Sequence, residues 1–152
     1  MPAMIRADRR FFLLATAACL AIGPAASAED AGSLAFDELY GKVSVLGLSF
    51  SDKLVELKGR PVRMKGFMAP PLKAEANFFV LTKRPMALCP FCSSDADWPP
   101  DIVVVYLDRA QTFEQANAEI EVRGELELGS WTDPETGFVS QVRIVGAKFG
   151  RA

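Results

Sequence analysis

Alternation of apolar and charged side chains constrains the fold of this chain more than any other feature. Over residues 120–128, apolar residues or glycine (Ile120, Val122, Gly124, Leu126, Leu128) alternate with charged residues (Glu121, Arg123, Glu125, Glu127). This two-residue period is typical of a half-buried β-strand. The same period recurs over residues 62–68, where Arg63 and Lys65 separate Val62, Met64 and Gly66. The sequence therefore predicts two strands that each place one face on a core.

Two short continuous apolar runs predict strands that are covered on both faces. They span residues 77–82 and 102–107 and are rich in β-branched and aromatic side chains. The connection between them, residues 83–101, is longer than most loops in compact domains, and loops of that length are usually functional or disordered. This connection is therefore the first place to look for binding groups.

The C-terminal part of the chain predicts a hairpin preceded by a short helix. Asp133-Pro134-Glu135-Thr136-Gly137 predicts a turn, since proline presets φ and glycine accepts a positive φ, and residues 138–145 return as the partner strand. Arg143 is expected on the solvent face with Glu125 and Glu127, where charge discourages edge-to-edge pairing. Thr112 and Gln115 match a capping box and predict a helix that ends near Ala118.

Five strands with one short helix before the fourth predict a mainly β domain over residues 53–150. An OB-like five-stranded barrel is the first choice, and a β-sandwich is the alternative. Residues 29–52 are predicted to form an N-terminal leader that is helical in part.

The first 28 residues have the features of a cleaved export signal. A basic start precedes an apolar run that is too short to span a bilayer, and Ala26-Ser27-Ala28 is a small-x-small cleavage site. Arg9-Arg10-Phe11-Phe12-Leu13 resembles a twin-arginine signal, which exports folded proteins, and the general secretory route is the alternative. The predicted location is the periplasm, with a membrane anchor only if Cys19 is lipidated.

Charge excludes nucleic acid as a partner. The chain has 17 basic and 19 acidic residues, and the predicted signal contains three arginines and one aspartate. The mature protein therefore has 14 basic and 18 acidic residues and a net charge of −4. No basic patch of the kind that nucleic acid requires is present in the sequence.

The 83–101 connection contains Cys89 and Cys92, the two cysteines of the predicted mature protein. The chain has no histidine, which excludes a Ser-His-Asp triad, a Cys-His pair and histidine-bound zinc. Three interpretations stay open. The pair forms a structural disulfide, as oxidising compartments favour. Alternatively, Cys89 is the nucleophile and Cys92 the resolving thiol of a thiol–disulfide oxidoreductase.

The third interpretation is a transition-metal site. Two thiolates form half of a tetrahedral zinc site, which Asp95, Asp97 or a partner protein would complete. Met86 adds a thioether three residues before Cys89, and soft ligands of this kind select Cu(I). Zinc and copper are therefore the candidate metals. Trp98, near the end of the connection, is expected to pack it onto the sheet.

Several motifs together resemble a known family. They are Val62-Arg-Met-Lys-Gly66-Phe67-Met68-Ala-Pro70, Phe78-Phe-Val-Leu81, Cys89-Pro-Phe-Cys92, Pro99-Pro100, Ile102-Val-Val-Val105, Val122-Arg-Gly124-Glu-Leu126 and Val142-Arg-Ile144. Over roughly residues 54–149 the chain resembles the bacterial exported domain-of-unknown-function family 3299. The resemblance implies that Cys89, Pro99 and Pro100 mark the family's loop. It also implies a periplasmic accessory or binding protein, more than an enzyme, that acts with an ABC-type transporter or another periplasmic protein.

Overall fold

The protein is mainly β, as predicted. The computed structural model describes residues 31–44, 47–70, 77–86, 98–112, 114–115 and 117–152. The predicted signal with Cys19 and Ala28 lies outside these residues. The strands are β1 (Gly32–Leu34), β2 (Tyr40–Ser44), β3 (Gly47–Phe50), β4 (Pro61–Met68), β5 (Phe78–Thr82), β6 (Ile102–Leu107), β7 (Glu119–Thr132) and β8 (Val139–Arg151).

Six of these strands form one sheet in the order β1-β4-β5-β6-β8-β7, and β2 and β3 form a small second sheet. β4 also pairs with β7, antiparallel, from Pro61↔Glu125 to Phe67↔Glu119. The pairing of β6 with β8 is parallel, as is that of β1 with β4. Starting from β4, the hydrogen-bonded neighbours run through β5, β6, β8 and β7 and return to β4.

The two alternating segments are strands with one buried face, as predicted. In β4, Val62, Met64 and Met68 are buried, whereas Arg63 and Lys65 are exposed. In β7, the buried residues are Ile120, Val122 and Leu126. Because side chains alternate across a strand, a pairing slip of one residue would bring the charged set into the core, so the pattern also specifies the register.

The two apolar runs form β5 and β6, and both of their faces are covered. Phe79, Leu81, Val103 and Val105 belong to the main core. The opposite faces contribute to a second cluster that also includes Phe138, from the turn before β8; the buried members are Ala69, Phe78, Val80, Ile102, Val104 and Phe138. The β7–β8 turn therefore covers the outer side of these two strands.

The predicted leader contributes a strand and core residues to the domain. β1 pairs with β4 from Gly32↔Val62 to Leu34↔Met64, and Leu34 and Leu39 are buried in the main core. Among the described residues of this segment up to Ser51, the helical part is a single 3-10 turn, Phe36–Glu38. Within the described part of the chain, no helix has the length and apolar character needed to cross a membrane.

The predicted helix at 112–118 is wrong. The described residues of that stretch adopt no helix, and the one α-helix among the described residues is α1 (Asp52–Glu56). Ser51 caps α1, since its Oγ accepts a hydrogen bond of 3.0 Å from Leu54 N. Gln111 instead ties the chain to β8: its side chain donates to Phe149 O at 3.2 Å and accepts from Phe149 N at 3.3 Å.

The β7–β8 turn has the predicted chemistry. Asp133 Oδ1 accepts hydrogen bonds from Glu135 N at 2.9 Å and Thr136 N at 2.8 Å. Gly137 adopts a φ of 72°, in the region that favours glycine.

Any side chain at position 124, even the methyl group of alanine, should destabilise the fold. A Cβ on Gly124 would lie 2.6 Å from Val145 O and 2.7 Å from Ile144 Cγ2, so backbone would have to move. We expect Gly124→Ala to lower the free energy of unfolding by about 1–3 kcal/mol, as overpacking does. Urea denaturation measures it. Gly150→Ala is the control, because a Cβ there meets nothing within 4 Å. Equal stability of the two variants would contradict the expectation.

Candidate functional site

The predicted loop is fastened at its base. Its two ends leave the paired residues Thr82 and Ile102, and Lys83 N donates a further hydrogen bond of 3.1 Å to Asp101 O. The buried hydroxyl of Thr82 donates to Phe67 O at 3.1 Å and lies 2.7 Å from Arg84 O. The two ends of the cysteine connection therefore emerge side by side from the sheet.

Most of the predicted ligands lie outside the described residues. This holds for Cys89, Cys92, Asp95 and Asp97, so their roles stay predictions. Met86, at the start of the loop, is half-buried. Among the residues that the structure describes, no group of three or more His, Cys, Asp or Glu side chains is placed to hold a metal ion.

Trp98 packs the end of the loop onto the sheet, as predicted. Its ring contacts both apolar clusters, and its Nε1 donates a hydrogen bond of 2.7 Å to Tyr40 Oη. The Tyr40 ring in turn lies 5.7 Å from that of Phe50, centroid to centroid. Burial raises the pKa of Tyr40 by more than the Trp98 hydrogen bond lowers it, so the hydroxyl keeps its proton at physiological pH.

A surface pocket of about 360 Å³ lies at the base of the loop, and we call it the loop-base pocket. Its lining combines aromatic rings with charges of both signs: Phe36, Asp37, Tyr40, Lys83, Arg84, Pro100 and Asp101. Lys83 Nζ forms a salt bridge with the Asp37 carboxylate. Arg84 and Asp101 form no ion pair with another described residue.

A second pocket of about 590 Å³ adjoins it and shares Phe36, Asp37 and Lys83. Arg63 and Lys65 of β4 line it opposite Glu119 and Glu121 of β7. Arg123 holds Glu121 through a contact of 2.6 Å and lowers the pKa of that carboxyl. The lining of this second pocket is thus also mixed in charge.

A polar cluster lies beneath the β7–β8 turn, and the sequence did not predict it. Arg143, expected on the solvent face, is only 6% exposed, so that expectation is wrong. Its guanidinium lies 5.4 Å from the centroid of the Trp131 ring and donates to Gly129 O at 2.7 Å. The Glu127 carboxylate, 3.2 Å from Arg143 Nε, and the contacts with Trp131 and with backbone oxygens together compensate the burial of the charge.

Tyr106 and Asp133 lie in the same cluster. Tyr106 Oη is buried and makes no well-aligned hydrogen bond with any described residue. Burial raises the pKa of Tyr106, and the nearby Asp133 carboxylate adds to the rise. Burial alone would raise the pKa of Asp133, but hydrogen bonds from Thr136 and Glu135 outweigh it and hold that pKa below its usual value. The cluster therefore fixes the turn that covers β5 and β6.

Sequence reasoning also missed the loop-base pocket. Tyr40 lies 58 positions from Trp98 in the chain, so no local spacing joins the two residues. A tyrosine in the predicted leader and the basic pair Lys83-Arg84 at the start of the loop are visible in the sequence, but neither indicates a contact.

Together these features define a small mainly β protein with a long connection fastened to its sheet. Its fold is similar to that of a DUF3299 family protein from Pseudomonas aeruginosa PAO1, known from a crystal structure. The TM-score is 0.53 at 12% sequence identity, over 80% of this chain and 96% of that one. The resemblance predicted from the motifs is thus confirmed at the level of the fold. No protein-family model and no curated protein matches the chain.

Removing the Tyr40 hydroxyl should loosen the end of the loop. Tyr40→Phe leaves Trp98 Nε1 without its acceptor, and we expect a loss of about 1–3 kcal/mol in the free energy of unfolding. Tyr106→Phe is the matched control: the Tyr106 hydroxyl makes no well-aligned hydrogen bond with a described residue, so its removal should cost less than that of the Tyr40 hydroxyl. Urea denaturation with tryptophan fluorescence measures both. A larger loss in Tyr106→Phe than in Tyr40→Phe would contradict this.

Asp133 should make stability depend on pH in the acid range. Its pKa is lowered in the folded state, so it stabilises the fold above its unfolded pKa of about 3.9, and this contribution disappears as pH falls through the folded pKa. We expect the stability difference between the native protein and Asp133→Asn to shrink from pH 6 toward pH 2. Urea denaturation across that range measures it, and parallel curves would argue against the role of Asp133.

Proposed function

We propose that this chain is an exported periplasmic binding module, an accessory protein that uses the Cys89–Cys92 loop to bind a transition metal or a partner protein. Strands β4 to β8, each of which pairs with two others of this set, form an OB-like barrel that presents the loop. The cyclic order of pairings and the parallel β6–β8 pair support that architecture. The predicted export signal, residues 1–28, supports the location.

The observation that carries the proposal is the double fastening of the loop. The Lys83–Asp101 backbone hydrogen bond closes its base, and the Trp98–Tyr40 hydrogen bond holds its end. Binding groups on a loop are effective when a rigid scaffold positions them. A connection that only joined two antiparallel strands would need two to five residues.

The chemistry of the loop favours a soft metal. Cys89 and Cys92 offer two thiolates, and Met86 is half-buried at the start of the same loop. Zinc would take the two thiolates and complete its tetrahedron with Asp95, Asp97 or a group from a partner. Cu(I) would take the thiolates with the Met86 thioether. An ABC-type transporter or another periplasmic protein is the proposed partner.

Thiol titration and elemental analysis on one sample of periplasmic protein, purified without chelators, test the metal site. We expect two reactive thiols and near-stoichiometric zinc or copper in the native protein, and Cys89→Ser should lose the metal and one of the two thiols. Met86→Leu separates the metals, since only copper binding should weaken in that variant. Met68→Leu is the matched control, because Met68 is a core residue at 1% exposure.

Absence of both metal and free thiols would contradict metal binding and indicate a disulfide. The reduction potential then separates the remaining alternatives. A value below about −300 mV indicates a structural bridge. A higher value, with turnover that Cys89→Ser abolishes, indicates a thiol–disulfide oxidoreductase.

A further inference from the structure

Two charged side chains of the loop-base pocket, one positive and one negative, form no ion pair with another described residue. Two cations and two anions line it, and Lys83 and Asp37 neutralise each other in a salt bridge. Arg84 and Asp101 are the remaining two. A ligand with a single charge would satisfy one of them and face the other, whereas a ligand with both charges satisfies the two.

Tyr40, one of the lining residues, has a hydroxyl with an unused proton. Tyr40 Oη accepts the hydrogen bond from Trp98 Nε1, and its own proton has no acceptor among the described residues. Because a tyrosine hydroxyl can accept and donate at once, Tyr40 can still donate one hydrogen bond. A carboxylate, which only accepts, is the matching group.

The size and the walls of the pocket fit a small molecule. Its volume of about 360 Å³ falls within the range of roughly 300–1,000 Å³ that small-molecule sites occupy. Phe36 and Tyr40 provide aromatic surface beside the charged groups. An apolar or aromatic side chain on the ligand would pack there.

We propose that the loop-base pocket binds a small zwitterion of the amino-acid type. Arg84 and the Tyr40 hydroxyl hold its carboxylate, Asp101 holds its ammonium group, and Phe36 and Tyr40 contact its side chain. None of the groups that the proposal assigns to the ligand is a thiol. The site extends the proposed function with a second ligand class and does not depend on metal binding.

Three matched probes test the charge requirement: L-phenylalanine, its N-acetyl derivative, which lacks the ammonium, and its amide, which lacks the carboxylate. We expect saturable binding of L-phenylalanine by isothermal titration calorimetry, and at least about tenfold weaker binding of each derivative, as the loss of one charged contact implies. Equal binding of the three probes, or no saturable binding of L-phenylalanine, would overturn the proposal.

Variants locate the site. Arg84→Gln and Asp101→Asn each remove one charge and should weaken L-phenylalanine binding about tenfold or more. Arg63→Gln is the control, because Arg63 lines the adjoining pocket and not this one. Unfolding in urea verifies that each variant is folded. Native affinity in Arg84→Gln, or equal weakening in Arg63→Gln, would overturn the assignment to this pocket.

The cysteine variant separates this proposal from the proposed function. Cys89→Ser should bind L-phenylalanine with native affinity, since the pocket needs no thiol. Loss of L-phenylalanine binding in that variant would overturn the proposal. The metal content of the native protein, measured separately, tests the proposed metal site.

Discussion

Strand β4 is the constraint on which the rest of the structure depends, because three other strands pair with it. Met64 pairs with Leu34 of β1 and also with Val122 of β7, so these two strands occupy opposite edges of β4. Near the end of β4, Phe67 pairs in the same way with Thr82 of β5 and with Glu119 of β7. The two-residue period of β4 thus sets the register of strands that come from the start, the middle and the end of the chain.

The pairing of strands around β4 also determines where the loop and both pockets lie. β1 lies against β4, so the following 3-10 turn places Phe36 and Asp37 next to Lys83. The parallel pairing of β6 with β8 brings the β7–β8 hairpin over β5 and β6, where Phe138 covers their outer face. Trp98 contacts this outer cluster and the main core alike, which couples the end of the cysteine loop to both layers.

Period and turn chemistry made much of this fold predictable. Which faces of a strand are buried is visible directly in the local sequence pattern. This holds for the alternation in β4 and β7 and for the continuous apolar runs in β5 and β6. The Asp133–Gly137 turn depends on φ preferences, which are also local. The helix predicted near Thr112 is absent from the described residues there, where Gln111 bonds to Phe149, a long-range contact that local propensity does not report.

The candidate sites were predictable only where composition marks them. The two cysteines mark the loop in the sequence itself. The burial of Arg143, in contrast, depends on Trp131 and on the backbone oxygen of Gly129, which the β7–β8 hairpin brings next to it. Tyr40 and Trp98 meet because β2 and the loop are adjacent in space. Contacts between residues so far apart in the chain follow from the topology and from no motif.

The place of β1 at the edge of the sheet would limit the room available to a signal peptidase, if residues 1–28 are the export signal that we propose. β1 begins at Gly32, four positions after Ala28, the last residue of the predicted signal. A fully extended chain spans about 3.3–3.6 Å per residue, so a bond cleaved after Ala28 would lie within roughly 14 Å of the start of β1. If the proposed export of an already folded domain is right, a signal peptidase would have to cut within this short stretch, and the domain would stay close to the bilayer surface until the cut was made.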